Sequence, residues 1–172
     1  PAIMPIEVIQ AEPHADAVQA AFKQARADGN EGLIVKDPFS TYSPGRRGKG
    51  WLKLKTSTTL DCVVVAAEQG HGKRAEVLSD YTFAVWSGDH LVNIGKAYSG
   101  VTDEEIARLT ELFHQLSLQQ RGHVHLVEPK VVMEIAFDQI QKSDRHSSGY
   151  ALRFPRIKRI RWDKSPQEAD HL

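Results

Sequence analysis

The sequence predicts an α+β chain that is mostly β, and three observations predict it. Apolar, β-branched runs of strand length follow one another between Leu60 and Ala97, separated by turn residues. An amphipathic helix then begins at Thr102 with Glu105 three residues on, the pattern of a capping box. Two more strand patterns follow, at 131–140 and 150–154. Three strands, one helix and two more strands is the order of a five-stranded OB-fold barrel, a small Greek-key shape that often carries nucleic acid. An SH3-like barrel is the neighbouring alternative.

Each element has its own reason. Residues 1–10 suit an entering strand, with Ile6, Val8 and Ile9 apolar and two prolines restricting it to an edge or a start. A helix is expected over 13–28, with Pro13 at a first helical position, Val18, Phe22 and Ala25 as its apolar stripe, and Gly29 as a left-handed stop. EGLIVKD (31–37) and WLKLK (51–55) read as two short strands joined by a basic loop. In the second, Leu52 and Leu54 are expected to enter a core while Trp51, Lys53 and Lys55 share the other face. The pattern changes near 56–60, which divides the chain into 1–58 and 59–172. One strand, one helix and a strand pair bury too little to stand alone, so 1–58 reads as the tail of a larger domain.

Beyond the boundary, LDCVVVAA (60–67) is apolar enough for burial on both faces. A GHGKR turn leads to a strand over 77–86, and Ser87-Gly88-Asp89 turns the chain into 90–97. In the helix, Asp103 and Glu104 favour the positive end of the dipole, and Ile106, Leu109, Phe113 and Leu116 form the buried stripe. Residues 119–125 read as a polar connection. In 131–140, Val131, Met133, Ile135 and Phe137 share one face, with Glu134 and Asp138 on the other. Phe154 reads as core, Glu134 as one side of a structural ion pair, and the chain ends in a basic tail.

Composition narrows the class. The 41% hydrophobic and 26% charged residues are ordinary for a globular protein, and no apolar run is long enough to span a bilayer. The single cysteine, Cys62, lies in an apolar run, which excludes an internal disulfide and points to a reducing compartment. The formal net charge is zero, yet Arg46, Arg47, Lys49, Lys53 and Lys55 form one basic stretch and Arg153, Arg156, Lys158, Arg159, Arg161 and Lys164 another. Basic stretches on a neutral chain suggest local anion binding, with a charged solvated face as the plain alternative. Two lysines on one strand face also fit a phosphate, and Glu31 beside them could hold a metal on it. A solvated hairpin face is the competing interpretation. His123 and His125 have the spacing of two ligands without a third nearby.

EGLIVKD, WLKLK and ALRFPRIKRIRWDK (151–164), in this order and separated by barrel-like strands, resemble the C-terminal part of ATP-dependent DNA ligases. The resemblance covers nearly the whole chain. It implies that 1–58 is the C-terminal segment of a nucleotidyltransferase (adenylation) domain and that 59–172 is an OB-fold domain. It implies a three-step reaction in which a lysine takes AMP from ATP, passes it to the 5′-phosphate of a nick, and leaves when the 3′-hydroxyl attacks. In that scheme Glu31 matches the metal-binding glutamate for Mg²⁺, and Lys53 and Lys55 match the catalytic lysines that contact the adenylate. Arg161, Asp163 and Lys164 match the motif that closes over ATP, with Arg156 as a further nucleotide contact. Arg46, Arg47, Lys73, Arg74 and Arg153 are the candidates for touching DNA.

The departure is equally plain. The family's nucleophile is the lysine of a K-x-D-G motif, and no lysine of this chain is followed that way. The chain is therefore expected not to adenylylate itself, and to be an excised piece or a subunit of a split enzyme that needs the N-terminal part. Expected partners are that part and nicked duplex DNA, with a monomeric protein and no membrane. Location is expected to be the cytoplasm of a bacterium or archaeon, or a eukaryotic nucleus. The alternatives are an RNA ligase, an mRNA-capping guanylyltransferase, or a non-catalytic OB-fold module that binds nucleic acid.

Overall fold

A computed structural model describes residues 14–46, 48–55 and 58–172. The expected strand at 1–10, the Pro13 helix start and Arg47 lie outside the described residues. The chain divides into two compact units, Pro1–Thr56 and Ser57–Leu172.

The first unit holds helix α1 (Ala15–Ala27) and the antiparallel strands β1 (Gly32–Lys36) and β2 (Trp51–Lys55). Ala25 is buried on the helix, with Val18 and Phe22 half-buried along the same stripe. The helix ends as Gly29 predicts: its φ is 82°, its N–H reaches the Arg26 carbonyl, and the Asn30 N–H reaches that of Ala25. This pair of bonds is a Schellman closure, which satisfies carbonyls the helix would leave open.

The second unit is a curled antiparallel sheet of seven strands with one α-helix, mostly β and OB-fold-like. Its spine is β3 (Thr58–Gln69), which pairs with β4 (Leu78–Ser87) along one edge. Along the other edge it pairs first with β8 (Val132–Phe137) and then with β7 (Val124–Val127). A strand that changes partner halfway must coil, and register shifts near Val64 and Phe83 mark where the sheet bends. Strand β5 (His90–Ala97) continues from β4, β6 (Ser117–Arg121) pairs with β7, and β11 (Arg156–Ile160) pairs with β8. The Ile157 N–H donates to the Ser99 carbonyl, so the segment after β5 reaches β11 across the curl. A two-stranded ladder of β9 (Gln139–Lys142) and β10 (Tyr150–Arg153) lies outside the main sheet.

Inside the curl are Val64, Leu78, Tyr81, Phe83, Ile94, Met133 and Ile135, closed by Leu109 and Phe113 of α2 (Asp103–Gln115). The capping box is present, with the Glu105 N–H on the Thr102 hydroxyl and the Thr102 N–H on the Glu105 carboxylate. Burial of β3 on both faces is also observed. Cys62 and Val64 face the barrel interior, while Val63 packs outside with Val132 and Ala169. Ala169 belongs to a C-terminal segment that crosses the sheet's outer face. There the Trp86 Nε1 donates to the Pro166 carbonyl, and the Asp170 N–H to that of Asp61.

Several expectations change. The five-strand count is too low, because the polar connection at 119–125 is the tight β6–β7 hairpin, turned at Gly122 with φ 62°, and the basic tail supplies β11. The expected 131–140 strand breaks at Asp138 into β8 and β9. Leu52 is 56% exposed in the described structure rather than in a core, although Leu54 is half-buried. Phe154 is 63% exposed with φ 52°, so it is not core either. It sits at the corner between β10 and β11, where the chain turns sharply enough to need a left-handed residue.

Candidate functional site

Strand register decides what the hairpin presents. Gly32 lies opposite Lys55, Ile34 opposite Lys53, and Lys36 opposite Trp51. Directly paired residues of an antiparallel ladder share a face, so Lys36, Lys53, Lys55 and Trp51 line one side of this ribbon. A Cβ on Gly32 would run into the Leu54 carbonyl, so only glycine allows this close approach of the strands beside Lys55. The Lys36 ammonium sits 4.1 Å from the Trp51 ring centroid, and Tyr42 packs on the same ring at 5.7 Å. Trp51 thus braces the lysine strand from its end.

Lys53 donates to the Glu31 carboxylate at 2.9 Å, with both side chains well exposed. An exposed pair of this kind is worth at most about 1 kcal/mol, so it yields readily to a better anion. For a divalent cation the described residues offer no group of three or more His, Cys, Asp or Glu side chains. One carboxylate fits only Mg²⁺ that carries most of its shell on phosphates and water. The loop over 37–50 is held by its own turns: the Phe39 N–H donates to the Asp37 carboxylate and the Asp37 N–H to the Gly50 carbonyl. Arg46 is exposed on it.

In the second unit the predicted residues Arg161, Asp163 and Lys164 meet around a group the sequence reading passed over, Asp61 of β3. Arg161 Nη1 and Lys164 Nζ both donate to Asp61 Oδ2, at 2.9 and 2.6 Å. Arg161 also grips Asp163 with two bonds, at 2.9 and 2.7 Å. Those hydrogen bonds hold the Asp163 carboxyl well below the usual carboxylate range and raise the Arg161 guanidinium further. Asp61 itself is buried, and its Oδ1 has no hydrogen-bond partner among the described residues. The signal for it was the one acid within the apolar run 60–67.

A second buried acid lies directly beside the first. Asp61 is the register partner of Glu134 on β8. Glu134 accepts from Lys158 Nζ at 2.8 Å and from Arg159 Nε, so the expected structural ion pair is a triad. These bonds, Lys158 foremost, outweigh the burial penalty and lower its pKa to about 2. Arg156 meets Asp138 at 3.3 Å. The basic tail is therefore largely neutralised within its own unit.

The remaining candidates are more open. Lys73 and Arg74 lie on a short 3₁₀ turn (Gly72–Arg74), where Arg74 pairs with Asp103 at 2.9 Å. Arg153 stacks over the Phe154 ring at 5.0 Å. Two shallow clefts of about 320 and 400 Å³ flank exposed Tyr98. His71, Arg74, Ser79 and Asp80 line one; Lys96, Ser99, Phe154, Pro155 and Arg156 line the other. His123 sits in the β6–β7 turn 3.8 Å from Glu68, whereas His125 is buried against His114.

A lysine-faced hairpin followed by an OB-fold-like sheet is the build of a nucleotidyltransferase's C-terminal end. The family described as ATP dependent DNA ligase C terminal region matches residues 74–164, and that described as ATP dependent DNA ligase domain matches residues 2–55. The chain belongs to the ATP-dependent DNA ligase family. It is 58% identical over 162 residues to a probable DNA ligase of Opitutus terrae, covering 92% of this chain and 16% of that protein. It is 60% identical over 152 residues to a probable DNA ligase of Koribacter versatilis, covering 88% and 26%. A DNA ligase of Methanothrix thermoacetophila is 45% identical over 175 residues, covering 100% and 31%. The chain thus spans between about a sixth and a third of these relatives' lengths. Among solved structures it is similar to the ligase domain of M. tuberculosis LigD, with TM-score 0.59 and 25% identity over 88% of this chain and 50% of that one. A structure titled Pmar-Lig_PreS3 gives TM-score 0.66 and 25% identity over 85% and 30%.

Proposed function

We propose that this chain is the C-terminal portion of a ligase that seals nicks in duplex DNA through enzyme–AMP and DNA–adenylate intermediates. Residues 1–58 would close the adenylation domain and residues 59–172 form the OB-fold domain, in a monomeric bacterial or archaeal protein. The hairpin register carries the proposal, because it puts Lys53 and Lys55 side by side with Glu31 at hand. Every step is displacement at phosphorus, so the work of these groups is to position phosphate and neutralise its charge.

Lys55 holds the adenylate phosphate, and Lys53 exchanges Glu31 for the same anion. Glu31 is the carboxylate that would hold Mg²⁺, which would supply charge neutralisation on the phosphates. Arg161 and Lys164, with Asp163 paired to Arg161, orient the departing pyrophosphate of ATP, and Arg156 at the other end of β11 is a further nucleotide contact. Arg46, Arg47, Lys73, Arg74 and Arg153 meet the DNA backbone. The nucleophilic lysine comes from sequence outside this chain.

In the full-length protein, Lys55→Ala should slow enzyme–AMP formation by at least about 100-fold. That corresponds to roughly 2.7 kcal/mol of lost transition-state stabilisation. Single-turnover transfer of labelled AMP from ATP measures it directly, and wild-type kinetics would remove Lys55 from the site.

A further inference from the structure

We infer that Asp61 is a positioning residue of the nucleotide site, the fixed counter-charge that holds Arg161 and Lys164 in place. The inference rests on the nucleotide role proposed above for those two cations.

Asp61 is built to stay put while its partners are aimed. It lies on β3, the spine of the sheet, paired in register with Glu134. Its backbone is clasped on the other side by Asp170: the Asp61 N–H donates to the Asp170 carboxylate, and the Asp170 N–H returns to the Asp61 carbonyl. Arg161 and Lys164, by contrast, follow the end of β11 on a turn in which the Lys164 N–H reaches the Arg161 carbonyl. The Arg161 N–H still reaches the Val132 carbonyl of β8, and Lys164 Nζ also reaches the Glu168 carbonyl at 3.4 Å. The buried carboxylate oxygen on which both cations converge is Asp61 Oδ2.

The two acids around Arg161 play different parts. Asp163 is 67% exposed, so its carboxylate can leave the guanidinium fork and be hydrated. The Asp61 side chain is only 11% exposed, and its second oxygen already has no hydrogen-bond partner among the described residues. Stripping both cations from it would leave a buried charge uncompensated, which is far costlier than releasing an exposed one. A polyphosphate arriving at this cluster therefore displaces Asp163 and meets Arg161 and Lys164 still tethered to Asp61. The fork of Arg161 that now holds Asp163 through Nε and Nη2 is the bidentate geometry a phosphate also takes.

The test uses the full-length protein and two substrates. ATP reports enzyme–AMP formation, and a nick already carrying 5′-adenylate reports strand sealing without any need for ATP. Asp61→Asn keeps the shape and removes the charge. It should cut kcat/KM for enzyme–AMP formation by about 10- to 100-fold, as loss of a residue that orients binding groups typically does, mainly through a raised KM for ATP. Sealing of the adenylylated nick should stay within about twofold even though loss of the buried pair lowers the unfolding midpoint, and Asp61→Glu should recover part of the ATP-step loss.

Equal loss of both steps together with a lowered unfolding midpoint would assign Asp61 to the fold alone and overturn the inference. Unchanged ATP kinetics in Asp61→Asn, with Arg161→Ala crippled, would overturn it too and leave the nucleotide role standing. Unchanged ATP kinetics in Arg161→Ala and Lys164→Ala would sink the nucleotide role itself, and Asp61 with it.

Discussion

Glu134 shows what a single residue contributes that its sequence neighbours cannot announce. Its carboxyl is buried, yet ion pairs with Lys158 and Arg159 keep it charged, and its pKa falls from about 4.5 to about 2. A depressed carboxyl pKa means the folded state prefers the charged form. The stabilisation is then complete above pH 4.5 and disappears as pH falls toward 2. Glu134→Gln should destabilise the chain by roughly 1–2 kcal/mol at pH 7, the exposed lysine and arginine partners moderating the loss. Urea unfolding at pH 7 and pH 3 checks this, because the gap between wild type and variant should narrow at the lower pH. The sequence put Glu134 on a strand face opposite Val131 and Met133. It could not name the partners, which lie 24 and 25 residues away.

At the scale of elements, local chemistry was readable wherever a bond closes within a few residues. Gly29 ends α1 and the Thr102–Glu105 box starts α2 because both devices satisfy backbone groups of their own helix. Thr102→Ala should lower stability by about 1 kcal/mol, measured by denaturant titration, with the helix otherwise intact. Elements whose side chains face solvent were harder to read. In β6 four of five residues are exposed, so its sequence lacks the apolar alternation of a half-buried strand and passed for a polar connection. Strand β11 was hidden in the same way, since its arginines and lysines read as a tail until β8 was there to pair with them.

For the whole molecule, the distribution of charge matters more than its count. Of the six basic residues in 153–164, five have carboxylate partners within the second unit. Affinity for nicked DNA should accordingly fall with salt by a modest slope, set by Lys73, Arg153 and the loop arginines rather than by the tail. Arg153→Ala should weaken binding to any sequence and reduce the magnitude of the slope by about one. Fluorescence titration of a nicked duplex across a salt series measures both. The chain alone, given labelled ATP and Mg²⁺, should form no covalent adenylate, because no lysine is set in a K-x-D-G motif. A labelled band at its mass in a denaturing gel contradicts that.

By itself the sequence determined the mostly β character, the position of the one helix in the barrel, and the alternation that puts Lys53 and Lys55 on one strand face. These follow from period, caps and turn residues, all of them short-range. It also determined what the chain lacks, since a missing nucleophile motif needs no coordinates to be seen. Only the tertiary structure decided which charges answer which. Asp61 and Arg161 are 100 positions apart, and nothing local links the one acid of the apolar run 60–67 to an arginine near the other end. The curl of the sheet places the start of β3 beneath the C-terminal segment. Burial there makes each unpaired charge expensive, so the acids and bases of distant segments are held together where the fold brings them into contact.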